Sequence, residues 1–159
     1  MLSTPQYGWT RFSTQTRKHA LSYLTNVPFE WLDQAIHGLK TLQPFTVHGC
    51  CEPMRFLCTV SYWNCHIIRE EEGSYPLSKE HTTWEILHIS MLDFCKQLHD
   101  AISNDIDAWS DWYVGLRDDD RSDAAQRRIN KRNLRKRLKQ LKKLIQQNEE
   151  AFHGSGFFF

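Results

Sequence analysis

Between Arg121 and Lys143 the chain carries eleven Lys/Arg and a single acid, Asp123, a net charge of +10. Like charge at that density cannot leave water, so the segment must line a surface whatever the rest of the chain does. Residues 1–120 hold nine basic and sixteen acidic side chains, a net −7, and the last sixteen residues contribute −2. The overall +1 therefore conceals a polarised molecule, one end attracting polyanions and the other repelling them.

The remaining composition bounds the fold. A chain of 159 residues fits one compact body plus an appendage. Six Trp and nine Phe can offset the entropy of ordering a core. No apolar run approaches the roughly 18–20 residues of a membrane span, and the polar start (Ser3, Thr4, Gln6, Arg11) lacks a signal-peptide profile. Five cysteines, Cys50, Cys51, Cys58, Cys65 and Cys95, form no even framework, which points to reduced thiols inside a cell, acting as small core hydrophobes.

Residues 1–13 read as an arm that needs the body to order it, and Gln15–Leu24 as a short helix with Ala20, Leu21 and Leu24 on one strip. Asn26-Val27-Pro28 breaks it, and Pro28 opens a second helix, Phe29–Leu42, with Phe29, Leu32, Ile36 and Leu39 at helical spacing. After Gln43-Pro44 the period drops to two. Phe45–His48 is β-rich, Cys51-Glu52-Pro53 is a turn, and Phe56, Cys58, Val60 and Tyr62 alternate along a strand running to Ile68, bent at Trp63-Asn64. Glu70–Pro76 reads as an acidic loop. Thr82–Ile89 is ambiguous, its β-branched residues suiting a strand while Trp84, Leu87 and Met91 would share a helical face; the strand is favoured, leading into a helix at Met91–Ser103 with Leu92, Cys95, Leu98 and Ile102 as its stripe. Asn104/Asp105 caps a further helix holding Ile106, Trp109, Tyr113 and Leu116 inward, and Asp118-Asp119-Asp120 is the start signal of the basic helix.

The expected architecture is α+β: a small antiparallel sheet of about three strands with flanking helices and a long basic C-terminal helix. The divisions are an acidic, aromatic-rich body at 1–120, the basic amphipathic helix at 121–153 and an apolar tail at 154–159. Phe29–Ser103 has the helix–three strands–helix order of a double-stranded RNA-binding domain, and Phe45-Thr46-Val47 with Pro53-Met54-Arg55-Phe56 resembles that family's first two strands. That family's second helix opens with a Lys-rich phosphate clamp. Ser90-Met91-Leu92-Asp93-Phe94 offers none, so the likeness is one of topology and no family is assigned.

Within the basic helix Leu134, Leu138, Leu141, Ile145, Asn148 and Phe152 are spaced 4, 3, 4, 3 and 4, the alternation of a coiled-coil seam. Basic segment followed by short zipper resembles the order in basic-zipper DNA readers. The Asn–Ala–Ala–Arg core of that family is absent, and no roles are carried over. With Leu138 and Ile145 at position a, Arg137 and Lys142 would oppose each other across a parallel seam, which disfavours a tight parallel homodimer. The stripe is expected to dock on the body through Leu138–Phe152, or on another chain, while the Arg127–Arg137 end projects into solvent.

A solvated face is one reading of such a charge run; a nucleic-acid contact is preferred here. Arg127, Arg128, Lys131, Arg132, Arg135, Lys136, Arg137 and Lys139 occupy several faces of one helix, and arginine-rich helices bind RNA. The same stretch would serve as a nuclear import signal in a eukaryotic cell, or bind an acidic groove or anionic membrane surface. Leu138, Leu141 and Ile145, with Trp109 and Trp112, are the candidate partner-binding residues, although both Trp also suit the core.

Catalytic and metal chemistry is not expected. His48, Cys50, Cys51, Cys58, Cys65 and His66 contain no Cys-x-x-Cys pair, and Cys65 and His66 would point to opposite faces of a strand. No glycine-rich phosphate loop or nucleophile elbow appears, so no cofactor is assigned. The reading is a non-enzymatic intracellular accessory or regulatory protein that binds nucleic acid, RNA slightly preferred; it is cytoplasmic, or nuclear in a eukaryotic cell. The alternative is a protein-interaction module or inhibitor that docks on a nucleic-acid-processing complex.

Overall fold

The period-two stretch from Phe45 onward closes into a four-stranded antiparallel sheet in the computed structural model, which describes residues 1–70, 82–115 and 123–154. Its strands are β3 (Phe45–Cys51), β4 (Met54–Val60), β5 (Cys65–Glu70) and β6 (Thr82–Leu87), in spatial order β3-β4-β5-β6. Ahead of it come a hairpin, β1 (Trp9–Ser13) and β2 (Lys18–Ser22), and helix α1 (Val27–Thr41). After it come α2 (Met91–Ser103), the single turn α3 (Ile106–Ser110) and the long α4 (Ala124–Gly154). The fold is α+β, with four strands in the main sheet rather than about three.

The extra strand comes from a turn. Ser61 donates both its backbone N–H and its hydroxyl to the Asn64 carbonyl, and this reverses the chain where a bend in one strand was expected. The register Val60↔Cys65, Cys58↔Ile67 then stacks β5 beside β4. Four strands lie between α1 and α2, so the three-strand order of a double-stranded RNA-binding domain is not reproduced. Side-chain alternation sends Phe45, Val47, Phe56, Cys58, Val60, Cys65 and Ile67 inward, all buried. The opposite face carries Thr46, His48, Leu57, Thr59, His66, Ile68, Trp84 and Ile86.

The first twenty-five residues depart furthest from the sequence reading. Gln15–Leu24 is not a helix. Thr14 closes a turn with Arg17, and β2 alternates His19 and Leu21 inward, while Leu24 remains exposed. An isolated helix that short is marginal, and tertiary packing overrides the weak apolar strip. Residues 1–13 are not an arm either: Phe12 lies in the core with its ring 5.8 Å from Trp31 and 5.4 Å from Phe56.

Local rules hold better elsewhere. Pro28 sits in the first turn of α1, and Leu42 ends that helix in a left-handed conformation just before Pro44. Ser90 caps α2 by accepting from the Asp93 N–H, and Asp105 caps α3 through Ala108. The helix expected from Ile106 to Leu116 stops after one turn, at Ser110; Leu116 lies outside the described residues. So do Asp118–Asp120, and Asp123 is the described residue whose carboxylate meets the Ala125 and Gln126 N–H groups at the start of α4. Of the expected acidic loop only Glu70 is described. It ends β5, buried against Arg55 at 2.5 Å.

Trp31 joins the layers. It stacks near Phe56 and Phe94, centroids 6.0 and 6.3 Å away, and donates its indole N–H to the His48 carbonyl at 2.8 Å. α1 approaches β3 closely because Gly38 faces the Phe45 ring, where a Cβ would collide. Leu134, Leu138, Leu141 and Ile145 of α4 belong to the same core, seated on α1, α2 and α3. Apolar contact begins at Leu134, earlier than the expected Leu138, and Asn130 already donates to the Ser110 carbonyl, so the basic end is not a free projection. Leu141→Ala, at a fully buried site, should cost about 2–5 kcal/mol in urea denaturation. Lys142→Ala, one residue along and exposed, should stay within roughly 0.5 kcal/mol of the parent.

Candidate nucleic-acid interface

An α-helix turns about 100° per residue, so a 4-3-4 spacing marks one face. Leu134, Leu138, Leu141 and Ile145 use that spacing to face the core. Arg128, Arg132, Arg135, Lys139 and Lys142 repeat it on the opposite side, with Lys136 and Lys143 one turn beyond Arg132 and Lys139; all seven are exposed. The ridge from Arg128 to Lys143 is about 22 Å long at roughly 1.5 Å per residue. Arg128, Lys131, Arg132 and Arg135 line one open cleft of about 320 Å³.

The cations on the flanks behave differently. Arg137 grips Asp33 of α1 with two bonds of 2.7 and 3.0 Å, its guanidinium 5.2 Å above the Phe29 ring. Lys131 meets Asp107 of α3 at 2.5 Å, and Arg127 meets Asp111 at 3.4 Å. Near the other end the polarity is reversed: Glu149 of α4 binds Lys96 of α2 at 2.6 Å. The body's carboxylates thus answer the flanking cations. None of the seven ridge cations has a carboxylate within ion-pair distance among the described residues.

The eight residues singled out in the sequence therefore divide. Arg128, Arg132, Arg135, Lys136 and Lys139 are brought together on the ridge, whereas Arg127, Lys131 and Arg137 are drawn into ion pairs with the body. Lys142 and Lys143 complete the ridge and were missed, although their spacing from Lys139 placed them on it. The candidate partner residues are not on the surface at all. Leu138, Leu141 and Ile145 are covered by the chain's own helices. Trp109 and Trp112 are buried with their indole N–H groups donated to the Ala101 and Thr25 carbonyls, each at 3.0 Å. All five are core residues, Leu138, Leu141 and Ile145 on the inner face of α4 and the two Trp on the body.

The other titratable clusters are structural in character. Cys58, Cys65 and Cys95 are buried free thiols. Burial pushes the Cys95 thiol far up, and the Cys65 hydrogen bond followed by burial does the same to Cys58, so neither is a ready thiolate. His48 and His66 lie on the opposite sheet face. No group of three His, Cys, Asp or Glu converges on a metal position among the described residues, and none of their helices is long and apolar enough to cross a membrane. No family model, curated protein or solved structure matches this chain.

The Lys131 hydrogen bond, joined by the charges of Lys131, Arg135 and Arg127, holds the exposed Asp107 carboxyl below its ordinary value of 3.8. A carboxylate depressed by folding contributes stability above its unfolded pKa and loses it as pH falls through the folded value. Backbone NMR shifts in the first turns of α4 should therefore move as pH drops below 3.8. Asp107→Asn should remove that component of the titration.

Proposed function

We propose that this protein acts by binding rather than by catalysis, and that its ligand is a nucleic acid held along the outward ridge of α4. The observation that carries the reading is the sorting of charge on one helix. Cations that face the body are neutralised by Asp33, Asp107 and Asp111. The seven that face water have no such partner among the described residues. Stability alone does not call for uncompensated like charges along one ridge, since neighbouring like charges are unfavourable on a helix. Regularly spaced cations do suit a phosphate backbone.

RNA is preferred to DNA. A helix seated on three neighbours inserts poorly into a B-form major groove roughly 8.5 Å deep. A single strand or the wide, shallow minor groove of A-form RNA can be met by a ridge. The setting is intracellular, cytoplasmic or, in a eukaryotic cell, nuclear, in keeping with five free cysteines. The role is accessory or regulatory.

Filter binding to labelled duplex and single-stranded RNA across a salt series tests this. If five to seven ridge cations each neutralise a phosphate, log K against log salt should fall with a slope of about −4 to −6 on duplex. Arg132→Gln with Lys139→Gln should flatten the slope by about 2 and leave thermal stability unchanged. Arg137→Gln should do the opposite, lowering stability with little effect on the slope. No binding at low salt, or equal effects from the two sets, would end the proposal.

A second reading, a protein-docking module, draws on the open sheet face. Leu57, Ile68 and Trp84 form one cross-strand row over β4, β5 and β6; Ile86 lies two residues beyond Trp84, and Trp84 is 71% exposed. Contiguous apolar surface of this kind marks interaction sites. Trp84→Ser should then abolish capture of a protein partner from nuclease-treated extract while sparing RNA affinity. Capture that disappears with nuclease alone would instead return the partner to the first reading.

A further inference from the structure

Where the β1–β2 hairpin crosses the sheet there is a cavity of about 90 Å³ lined by Lys18, His19, Arg55, Phe56 and Arg69, among others. Its cationic character is unexpected in a body of net −7. Arg69 occupies an inward-facing position of β5, opposite Phe56 and Thr83, where an aliphatic residue would be expected. The nearby carboxylates are held by other groups, although the buried Glu70 Oε1 has no hydrogen-bond partner among the described residues. Glu70 answers Arg55, and Glu85 accepts from His19 at 2.9 Å and from the Thr16 and Thr14 hydroxyls at 2.8 and 3.2 Å. Burial pushes the Glu85 carboxyl up, but these hydrogen bonds together outweigh it and hold it below its ordinary range. Lys18 and Arg69 have no carboxylate partner among the described residues.

The second, independent observation is His19 itself. It is 3% exposed, its ring lies 5.1 Å from that of Phe56, and its Nε2 is committed to ionised Glu85. Its Nδ1 is buried with no hydrogen-bond partner. An orphaned buried nitrogen costs free energy that native structures rarely leave uncompensated. The ring is held in place by Glu85, so Nδ1 keeps a fixed position in which only a ligand or a water can satisfy it. One orphaned ring nitrogen and two cations without a carboxylate partner, Arg69 resting on Met54 Sδ, surround one small cavity and suit the recognition of a tetrahedral oxyanion.

We propose that the cavity between the β1–β2 hairpin and the sheet binds a phosphate-type oxyanion, with Arg69 and Lys18 supplying charge and His19 Nδ1 taking up a hydrogen bond with it. The volume admits one such group and is far below the roughly 300 Å³ of a site for a drug-sized ligand. The site is separate from the α4 ridge, and its ligand is either free phosphate or the terminal phosphate of a larger molecule.

The probe is inorganic phosphate titrated into the full chain against sodium chloride at matched ionic strength. The readout is the ¹⁵N shift of the His19 ring, which the α4 ridge does not influence. Phosphate should shift Nδ1 in a saturable way that chloride does not reproduce. Lys18→Gln, an exposed change that leaves the core intact, should weaken the titration roughly ten-fold, and Arg69→Met should abolish it. The ridge variant Arg132→Gln with Lys139→Gln should leave it unchanged. A 5′-phosphorylated oligonucleotide compared with its unphosphorylated counterpart separates the two sources: only a terminal phosphate that enters the cavity shifts His19. Identical responses to phosphate and chloride, meaning that the cavity holds water alone, would overturn the proposal. So would a phosphate response that survives Lys18→Gln undiminished.

Discussion

Four side chains, Leu134, Leu138, Leu141 and Ile145, decide where every charge on α4 points. Burying them against α1, α2 and α3 fixes the rotation of the helix about its axis, because only one face of a 3.6-residue helix can meet the body. Once that rotation is set, Arg127, Lys131 and Arg137 fall on the flanks beside Asp111, Asp107 and Asp33. Arg128, Arg132, Arg135, Lys136, Lys139, Lys142 and Lys143 are left to water. Exposed ion pairs contribute little each. The apolar stripe provides most of the attachment and sets the rotation, and the ion pairs add to it along the flanks. The density of charge that first marks this segment is thus divided by packing into a structural part and a ridge available to a ligand.

The seat itself depends on the aromatic cluster beneath it. Phe12, Trp31, Phe56 and Phe94 come from β1, α1, β4 and α2 and make five ring contacts of 5.4–6.4 Å, centroid to centroid. Tilted and offset aromatic pairs add to the area they bury. This cluster brings the hairpin into the core, and the polar contacts follow from its position. Ser22 donates to the Cys50 carbonyl at the edge of the sheet, and Glu85 gathers His19, Thr14 and Thr16 from the hairpin. The cationic cavity lies where this docking is incomplete, between β2 and the ends of β4 and β5.

Two surfaces of contrasting chemistry result. The helices cover one face of the sheet and carry the basic ridge of α4 outward. The other face of the sheet stays open, with Leu57, Ile68 and Trp84 in a row. A polyanion on one side and an apolar partner on the other would not compete for space, so the two readings of function describe surfaces that can coexist in one molecule.

The amino-acid order by itself determined the elements whose signals are local: α1 after Pro28, the β3–β4 hairpin around Glu52-Pro53, α2 behind its Ser90 cap, and the long one-sided α4. It also determined that Leu134, Leu138, Leu141 and Ile145 share a face, since spacing alone decides that. Only the tertiary structure decided that β2 is a strand, because Lys18–Ser22 has no strong preference until Leu21 meets Gly49 and His19 meets Phe56. Only the tertiary structure decided between core and surface for Trp109 and Trp112, and divided eight candidate cations into five on the ridge and three in ion pairs. Helical periodicity says which residues share a face. Which face turns to water, and which acids from distant parts of the chain meet the flanks, depends on contacts between residues 16 to 104 positions apart, and no local pattern encodes those.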